Sequence, residues 1–523
     1  MKKVNKIVSL CLLMVITFAV FAFAGCNNEK PVENAAFSLV IGQTVTNVCA
    51  EKYATVASVL ENKNLNKENT LGFYTDSNYQ NEVDVSKKIS EVKVVYTRMA
   101  TLDKLTIAEG NVRAINKSIE GEVVIPYSFD GDDVTGIIES AFEKCYSVTE
   151  VYMPASIKTI ADYAFDASNN ITKIQLSSKL ESIGKEAFTK TSIQDLYIPK
   201  TCTSIGERIV GGGYNILDSI VVEEGNSVYK SENNCLIKDD ILILGCKNSV
   251  IPSSGVETIG KYAFSGIVYL NKNTNGATGI TIPANIKTIE HNAFANSSTL
   301  VKVIIAEGSN LETIGEGAFA YSGVSTINLD VCTKLATINN KAFLKCVMSS
   351  ITIPASVTTL GDEAFSGVSS LASVTFAEDI QLKKIGKLTF NGCYFSHISI
   401  PSSVEEIGDQ AFYHCRNLTY ISLGGDNSQL KKIGDSAFSG CCLLRSGDGS
   451  NPAIVFAASL EYIGKNAFAQ CVSLDRVTFK DPEGWFKSSS ASATNGESVD
   501  FSDIKVSAEE LVKSNIYYKK TAA

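Results

Sequence analysis

Ile407-Gly408-Asp409-Gln410-Ala411-Phe412 is a six-residue phrase that the chain repeats. It returns as Ile137–Phe142, Ile160–Phe165, Ile183–Phe188, Ile259–Phe264, Ile289–Phe294 and Ile314–Phe319. It continues as Ile338–Phe343, Leu360–Phe365, Ile385–Phe390, Ile433–Phe438 and Ile463–Phe468, with a worn copy at Ile205–Val210. The thirteen copies mostly end 22 to 26 residues apart. A fixed period of this size marks a solenoid, in which a turn cannot bury its apolar side alone and stacked neighbours complete the core.

The apolar positions within a turn are tightly phased. Leu418 and Ile421-Ser422-Leu423 follow Phe412 as Ile193 and Leu196-Tyr197-Ile198 follow Phe188. The triplets, such as Ile280-Thr281-Ile282, Ile351-Thr352-Ile353 and Ile398-Ser399-Ile400, are short, alternating and β-branched. They read as short strands with one face in the core. Several are closed by proline (Pro154, Pro199, Pro283, Pro354, Pro401), which has no N–H for a ladder and suits a strand exit. The Ala-Phe segment reads as a short helix or 3₁₀ turn on the opposite side, and the glycine of the phrase as a tight bend.

With those positions in place, the turns resemble the BspA-like subclass of leucine-rich repeats, L-x-x-I-G-x-x-A-F-x-x-C-x-x-L-x-x-I-x-I-P, from about Gly121 to Lys480. The resemblance implies a mainly-β, right-handed leucine-rich-repeat solenoid with one parallel sheet of short strands. Its function in attachment and co-aggregation is the expectation the resemblance brings.

The remaining segments divide the chain. Lys2, Lys3 and Lys6 precede the apolar run Ile7–Phe23, and Phe23-Ala24-Gly25-Cys26 resembles the lipobox of bacterial lipoproteins. Residues 1–25 are therefore read as a lipoprotein signal peptide and Cys26 as the lipidated residue, giving an exported protein with a membrane anchor. Residues 26–36 read as a tether. Residues 37–116 carry no phrase and form either a small domain or a cover for the solenoid, with a helix expected near Glu51–Leu60 and a strand within Val83–Thr97. The solenoid is assigned to 117–480. Around 220–250 the two extra runs, Cys235-Leu236-Ile237 and Ile241–Leu244, read as an inserted β-hairpin. Gly276–Gly279 and Gly447–Asn451 read as loops. Residues 481–523 read as a C-terminal cap, with Trp485 inside it, because an open solenoid end exposes core and sheet edge.

The chemistry is sparse. Removal of the three leader lysines takes the formal charge from −9 to −12, which argues against nucleic acid as a partner. Cys145, Cys346, Cys393, Cys415, Cys441 and Cys471 all lie three residues after the repeat Phe and read as buried core rungs. Disulfide pairing remains the alternative for an exported chain. His291, His397 and His414 are scattered, the acidic residues read as a solvated face, and no nucleotide, nucleophile or metal motif occurs. No cofactor, metal or catalytic set is expected, and the protein is read as a non-enzyme.

What remains is surface. The middle residues of the strand triplets, among them Tyr152, Gln175, Tyr197, Asn328, Thr352 and Thr375, form the candidate binding face. A long, uncharged face suits a macromolecule, here an extracellular or cell-surface protein or glycoprotein, better than a small ligand. The other readings are an envelope scaffold without a ligand, and a carbohydrate-binding or hydrolytic lipoprotein working through 37–116.

Overall fold

The computed structural model describes residues 33–212, 216–268, 270, 279–445 and 454–521. The leader, Cys26, the first part of the tether, the loop Gly447–Asn451 and residues 276–278 lie outside the described residues.

The phrase enters on a two-residue strand, Glu406–Ile407 in the copy quoted first. Its isoleucine pairs in parallel with Ile385 and Ile433 of the neighbouring turns. The next six residues are not the expected short helix or 3₁₀ turn. They are nested tight turns: Ala411, Tyr413 and Cys415 N–H groups donate back to the Gly408, Gln410 and Phe412 carbonyls (3.3, 3.0 and 3.2 Å). Between these, Gln410, Phe412 and His414 donate forward to Asp435, Ala437 and Ser439 of the next turn (2.8, 2.7 and 2.9 Å). Every second amide thus points along the solenoid axis, which requires left-handed backbone twice per turn. The fourth residue of all thirteen copies has φ between 52° and 61°. His414, two residues beyond the Phe, has φ of 55°. A right-handed helix excludes such residues. Gly408 has no positive φ. A Cβ there would stand 2.8 Å from the Gly386 carbonyl carbon, so close approach between turns, rather than a tight bend, selects the glycine.

The solenoid has two ladders, not one parallel sheet. The phrase strands form a continuous ladder from Thr258–Ile259 to Tyr462–Ile463. The triplets on the other side form short, separate ladders: Gly279–Ile282 with Lys302–Ile305 and Thr326–Ile327, Ser350–Ile353 with Ser373–Phe376, and His397–Ile400 with Tyr420–Leu423. The prolines stand at the strand exits. The Pro354 and Pro401 carbonyls accept the Val357 and Val404 N–H groups (3.1 and 3.2 Å), which turns the chain back toward the phrase.

Between the ladders lies a column of rings. Phe264, Phe294, Phe319, Phe343, Phe365, Phe390, Phe412, Phe438 and Phe468 stack with centroids 5.0–5.6 Å apart and planes within 17°. A separate column holds Phe142, Phe165 and Phe188 and ends where Val210 replaces the ring.

The hairpin insertion explains the break. Tyr229–Glu232, Cys235–Lys238 and Ile241–Gly245 form an antiparallel sheet, and its last strand joins Thr258–Ile259 to start the second phrase ladder. Leu236, Leu244 and Cys246 pack into the first core, while Cys235, Ile237 and Leu242 pack into the second. The hairpin is therefore a wall between two cores, and its continuous apolar run reflects burial on both faces. Gly245 leaves room for the Phe264 ring, which a Cβ would enter.

Both ends are covered. The hairpin Leu105–Ala108 with Asn111–Ala114 pairs with the first phrase strand, Gly136–Ile137. The first core therefore reaches back to Leu105, ahead of residue 117. At the other end Tyr517–Lys520 pairs antiparallel with Tyr462–Ile463. Trp485, 2% exposed, packs edge-on against Phe479 and Phe501 beside the helix Ile504–Leu511.

The region before the repeats has its own core, with Phe37, Leu39, Val56, Leu60, Ile89 and Val95 at its centre. Its strands Asn34–Ile41, Thr44–Glu51 and Val94–Thr97 form one sheet, so ordered structure starts inside the 26–36 tether. The helix Val56–Asn62 is capped by the Thr55 hydroxyl, which accepts the Ser58 N–H at 3.2 Å.

All twelve described cysteines are free thiols. Those after the repeat Phe do more than fill space. The Cys346, Cys415, Cys441 and Cys471 thiols donate to the Phe carbonyl of the preceding turn at 3.1–3.2 Å. Ser297 makes the same bond to Phe264 at 2.7 Å. Burial pushes the Cys332 thiol up to about 11 and Cys346 up to about 12, which withholds the reactive thiolate. Only Cys49 is exposed and Cys442 partly so. A native chain of residues 27–523 should therefore show two rapidly titrating thiols with Ellman's reagent and twelve in denaturant. A native count well above two would show that the column opens.

Candidate functional site

The outward row of the strand face is divided by the structure. Tyr152 is not on the surface: it is 1% exposed, covered by Leu71, Tyr74 and Tyr79 of the N-terminal domain. The Tyr79 ring meets it edge-on at 5.9 Å, and the Arg98 guanidinium lies 3.7 Å from its centroid. Arg98 also pairs with Glu122 and donates to the Tyr79 hydroxyl at 3.1 Å. The Tyr74 hydroxyl accepts the Ala155 N–H at 2.9 Å. Burial pushes the Tyr74 and Tyr152 phenols well above their ordinary range. The part of 37–116 up to Arg98 thus has its own core and also covers the first rungs, whereas Leu105–Ala114 joins the solenoid. Gln175 is half-buried at the rim of that cover, where its amide and that of Gln80 both donate to the Leu176 carbonyl at 3.4 Å. Arg98→Ala removes the ring contact and the ion pair together. It is expected to cost the docked domain ~1–3 kcal/mol. Limited proteolysis should then cut between residues 98 and 105 while melting of the repeat array stays unchanged.

Tyr197 is the first free aromatic of the face, 36% exposed. Burial and the nearby Glu223 carboxylate raise its phenol. Thr281, Ile304, Thr375 and Ser399 follow as exposed residues, and Thr352, half-buried, pairs in register with Thr375. Asn328 is taken up structurally: its side chain accepts the Ile305 N–H (2.7 Å) and donates to the Ile305 carbonyl (2.9 Å), standing in for a strand residue. Asn328 and Thr352 line one open groove of about 490 Å³, with Lys302, Ile304, Ser325, Thr326, Asp330 and Ser350. Thr375 lies outside it. Ile304 belongs to the outward row read from the sequence, whereas Lys302 and Asp330 were missed as groove residues. The available signal was Ile327-Asn328-Leu329-Asp330, where Asn328 and Asp330 break the alternating β-branched triplet.

The acidic residues are not all solvated decoration. The Asp409 carboxylate accepts the Asp435 N–H of the next turn (2.9 Å), and Asp362 accepts the Lys387 N–H (2.7 Å). The histidines stand apart: His291 meets Tyr262 edge-on at 5.4 Å, His397 is at a strand start, and His414 lies against Tyr413. Among the described residues no group of three or more His, Cys, Asp or Glu is placed to hold a metal ion. Among them, too, no helix is long and apolar enough to cross a membrane.

The geometry is that of a repeat protein presenting a surface. The solved structures similar to it include the pneumococcal vaccine antigen PcpA, 22% identical, with 61% of this chain and 72% of that one covered and a TM-score of 0.38. A leucine-rich repeat protein from Bacteroides ovatus is also 22% identical, with 72% and 93% covered and a TM-score of 0.38. One from Eubacterium ventriosum is 20% identical, with 70% and 91% covered and a TM-score of 0.36. No curated protein matches the chain significantly. A family model described as BspA type leucine rich repeat region matches residues 123–236, 244–338, 336–451 and 450–513. With most of its length matched, the chain belongs to the BspA type leucine-rich-repeat family.

Proposed function

We propose that this is a lipid-anchored protein displayed at a bacterial cell surface, whose solenoid mediates adhesion to extracellular or cell-surface protein or glycoprotein. The observation that carries the reading is the weakly polar strand face beyond the N-terminal cover, along which Tyr197, Thr281, Ile304, Thr375 and Ser399 are exposed. An elongated, weakly polar surface of this kind matches a macromolecular partner rather than an enclosed small ligand. The family match supports a repeat-built recognition surface. The leader and the Phe23-Ala24-Gly25-Cys26 motif support the anchor at Cys26, and the acidic charge speaks against nucleic acid.

The test is a binding screen of residues 27–523 against matrix proteins, mucins and whole cells, with a variant carrying Tyr197→Lys and Thr375→Lys beside it. Binding that the variant weakens is the expected result. Binding to none of these surfaces would overturn the reading. A chain cut at residue 121 is a poor control, because it loses the hairpin that closes the first ladder and uncovers Tyr152.

A further inference from the structure

The strand face opens between Thr326–Ile327 and Ser350–Ile353. At Asn328 the chain leaves the extended conformation and enters the 3₁₀ turn Leu329–Val331. The last main-chain hydrogen bond joining the two rungs on this side is Val347 N–H to the Val324 carbonyl, at 3.2 Å. Among the described residues none connects 325–331 with 349–354. One rung further on, the corresponding groups are paired: Ala372 and Ser373 N–H both donate to the Ser349 carbonyl (2.8 and 3.2 Å). Main-chain groups on both walls of the groove therefore lack protein partners, the condition that elsewhere invites an added strand.

The groove also carries one charge of each sign. Lys302 stands where its strand begins, and Asp330 lies four residues past Thr326, the register partner of Lys302. Both are exposed, and among the described residues neither forms an ion pair. Some lysines of the solenoid do reach carboxylates, as Lys383 and Lys431 both reach Glu405 (3.0 and 2.9 Å). Ile304, 39% exposed, adds an aliphatic surface to the groove.

We propose that this split is a docking notch for an extended segment of a partner protein, with an acidic side chain at Lys302 and a basic one at Asp330. The inference rests on the surface-recognition reading and specifies its partner chemistry. Main-chain donors and acceptors on two walls match a peptide backbone. The opposed charges fix its direction. A neutral glycan would leave both charges unanswered.

The experiment selects dodecapeptides from a random phage-displayed library on the purified 27–523 chain. Selected peptides should carry Asp or Glu about three to five residues from Lys or Arg. Lys302→Glu and Asp330→Lys should each weaken them about tenfold or more. The doubly reversed chain should bind peptides whose two charges are exchanged. On binding, hydrogen exchange at Ser350 and Thr352 should slow. Peptides that bind the single variants as they bind the parent chain, or a selection that yields no binder, would overturn the notch. If the parent chain and the doubly reversed chain bind cells and matrix alike, the notch falls and the adhesion reading stands. If neither binds any surface, the adhesion reading falls.

Discussion

Phe343→Ala is expected to lower the stability of the second repeat array by about 3–5 kcal/mol. Phe343 is fully buried, and its ring stacks on Phe319 at 5.3 Å and Phe365 at 5.2 Å, with planes 1° and 8° apart. Truncation removes the transfer free energy of the ring, leaves a cavity and breaks two stacking contacts. The site cannot collapse to compensate. Phe319, Phe343 and Phe365 are each tied to the next turn by main-chain bonds, as in Phe343 N–H to the Ala364 carbonyl at 2.8 Å, which hold the turns at a fixed spacing. The effect should also stay local. Solenoid stability is close to a sum of unit and nearest-neighbour terms, and the hairpin separates this core from the first. Denaturant unfolding should resolve two transitions, with only the one belonging to residues 258–463 moved to lower concentration. A loss below about 1 kcal/mol, or an equal shift of both transitions, would show that the column is not the load-carrying element of that array.

The scale of that prediction follows from what the sequence made legible. The phrase places Ile, Ala and Phe at constant phase, and constant phase in a solenoid means constant position in the core. The copies therefore read out the repeated core and the strand triplets, and the extra runs Cys235–Ile237 and Ile241–Leu244 the hairpin insertion, without a structure. The left-handed residues were not legible, because inter-turn amides impose them on whatever side chain is present: Tyr163, Arg208 and Leu388 all adopt positive φ. The second role of the Cys rungs was hidden because Cys and Ser look unlike in hydropathy yet serve the same Phe carbonyl. Tyr152 misled for a different reason. Its strand phase is correct, but the face it occupies is filled by a domain that shares no repeat with the solenoid. The groove escaped because strand pairing between turns depends on main-chain direction after Ile327, and the missing proline exit there does not single it out, since Leu176, Ile305, Phe376, Leu423, Phe456 and Phe479 are not followed by proline either.

The hairpin offers the sharpest test of the two-core arrangement. Leu236 and Ile237 are adjacent in one strand and both fully buried, but alternation sends them to opposite faces. Leu236 packs with the first core and Ile237 with the second. Leu236→Ala and Ile237→Ala should each cost about 2–5 kcal/mol, yet in different places. The first should loosen residues 105–222 and the second residues 258–463, read by hydrogen exchange along the chain. An ordinary surface hairpin would give small and indistinguishable effects, because neither residue would seal a core. If both substitutions loosened the same array, the hairpin would belong to one core only, and the ladder break after Ser204–Ile205 would need another cause. If each loosens its own array, the insertion is what allows a chain of this length to fold as two shorter solenoids. Each of these then closes on the same three strands.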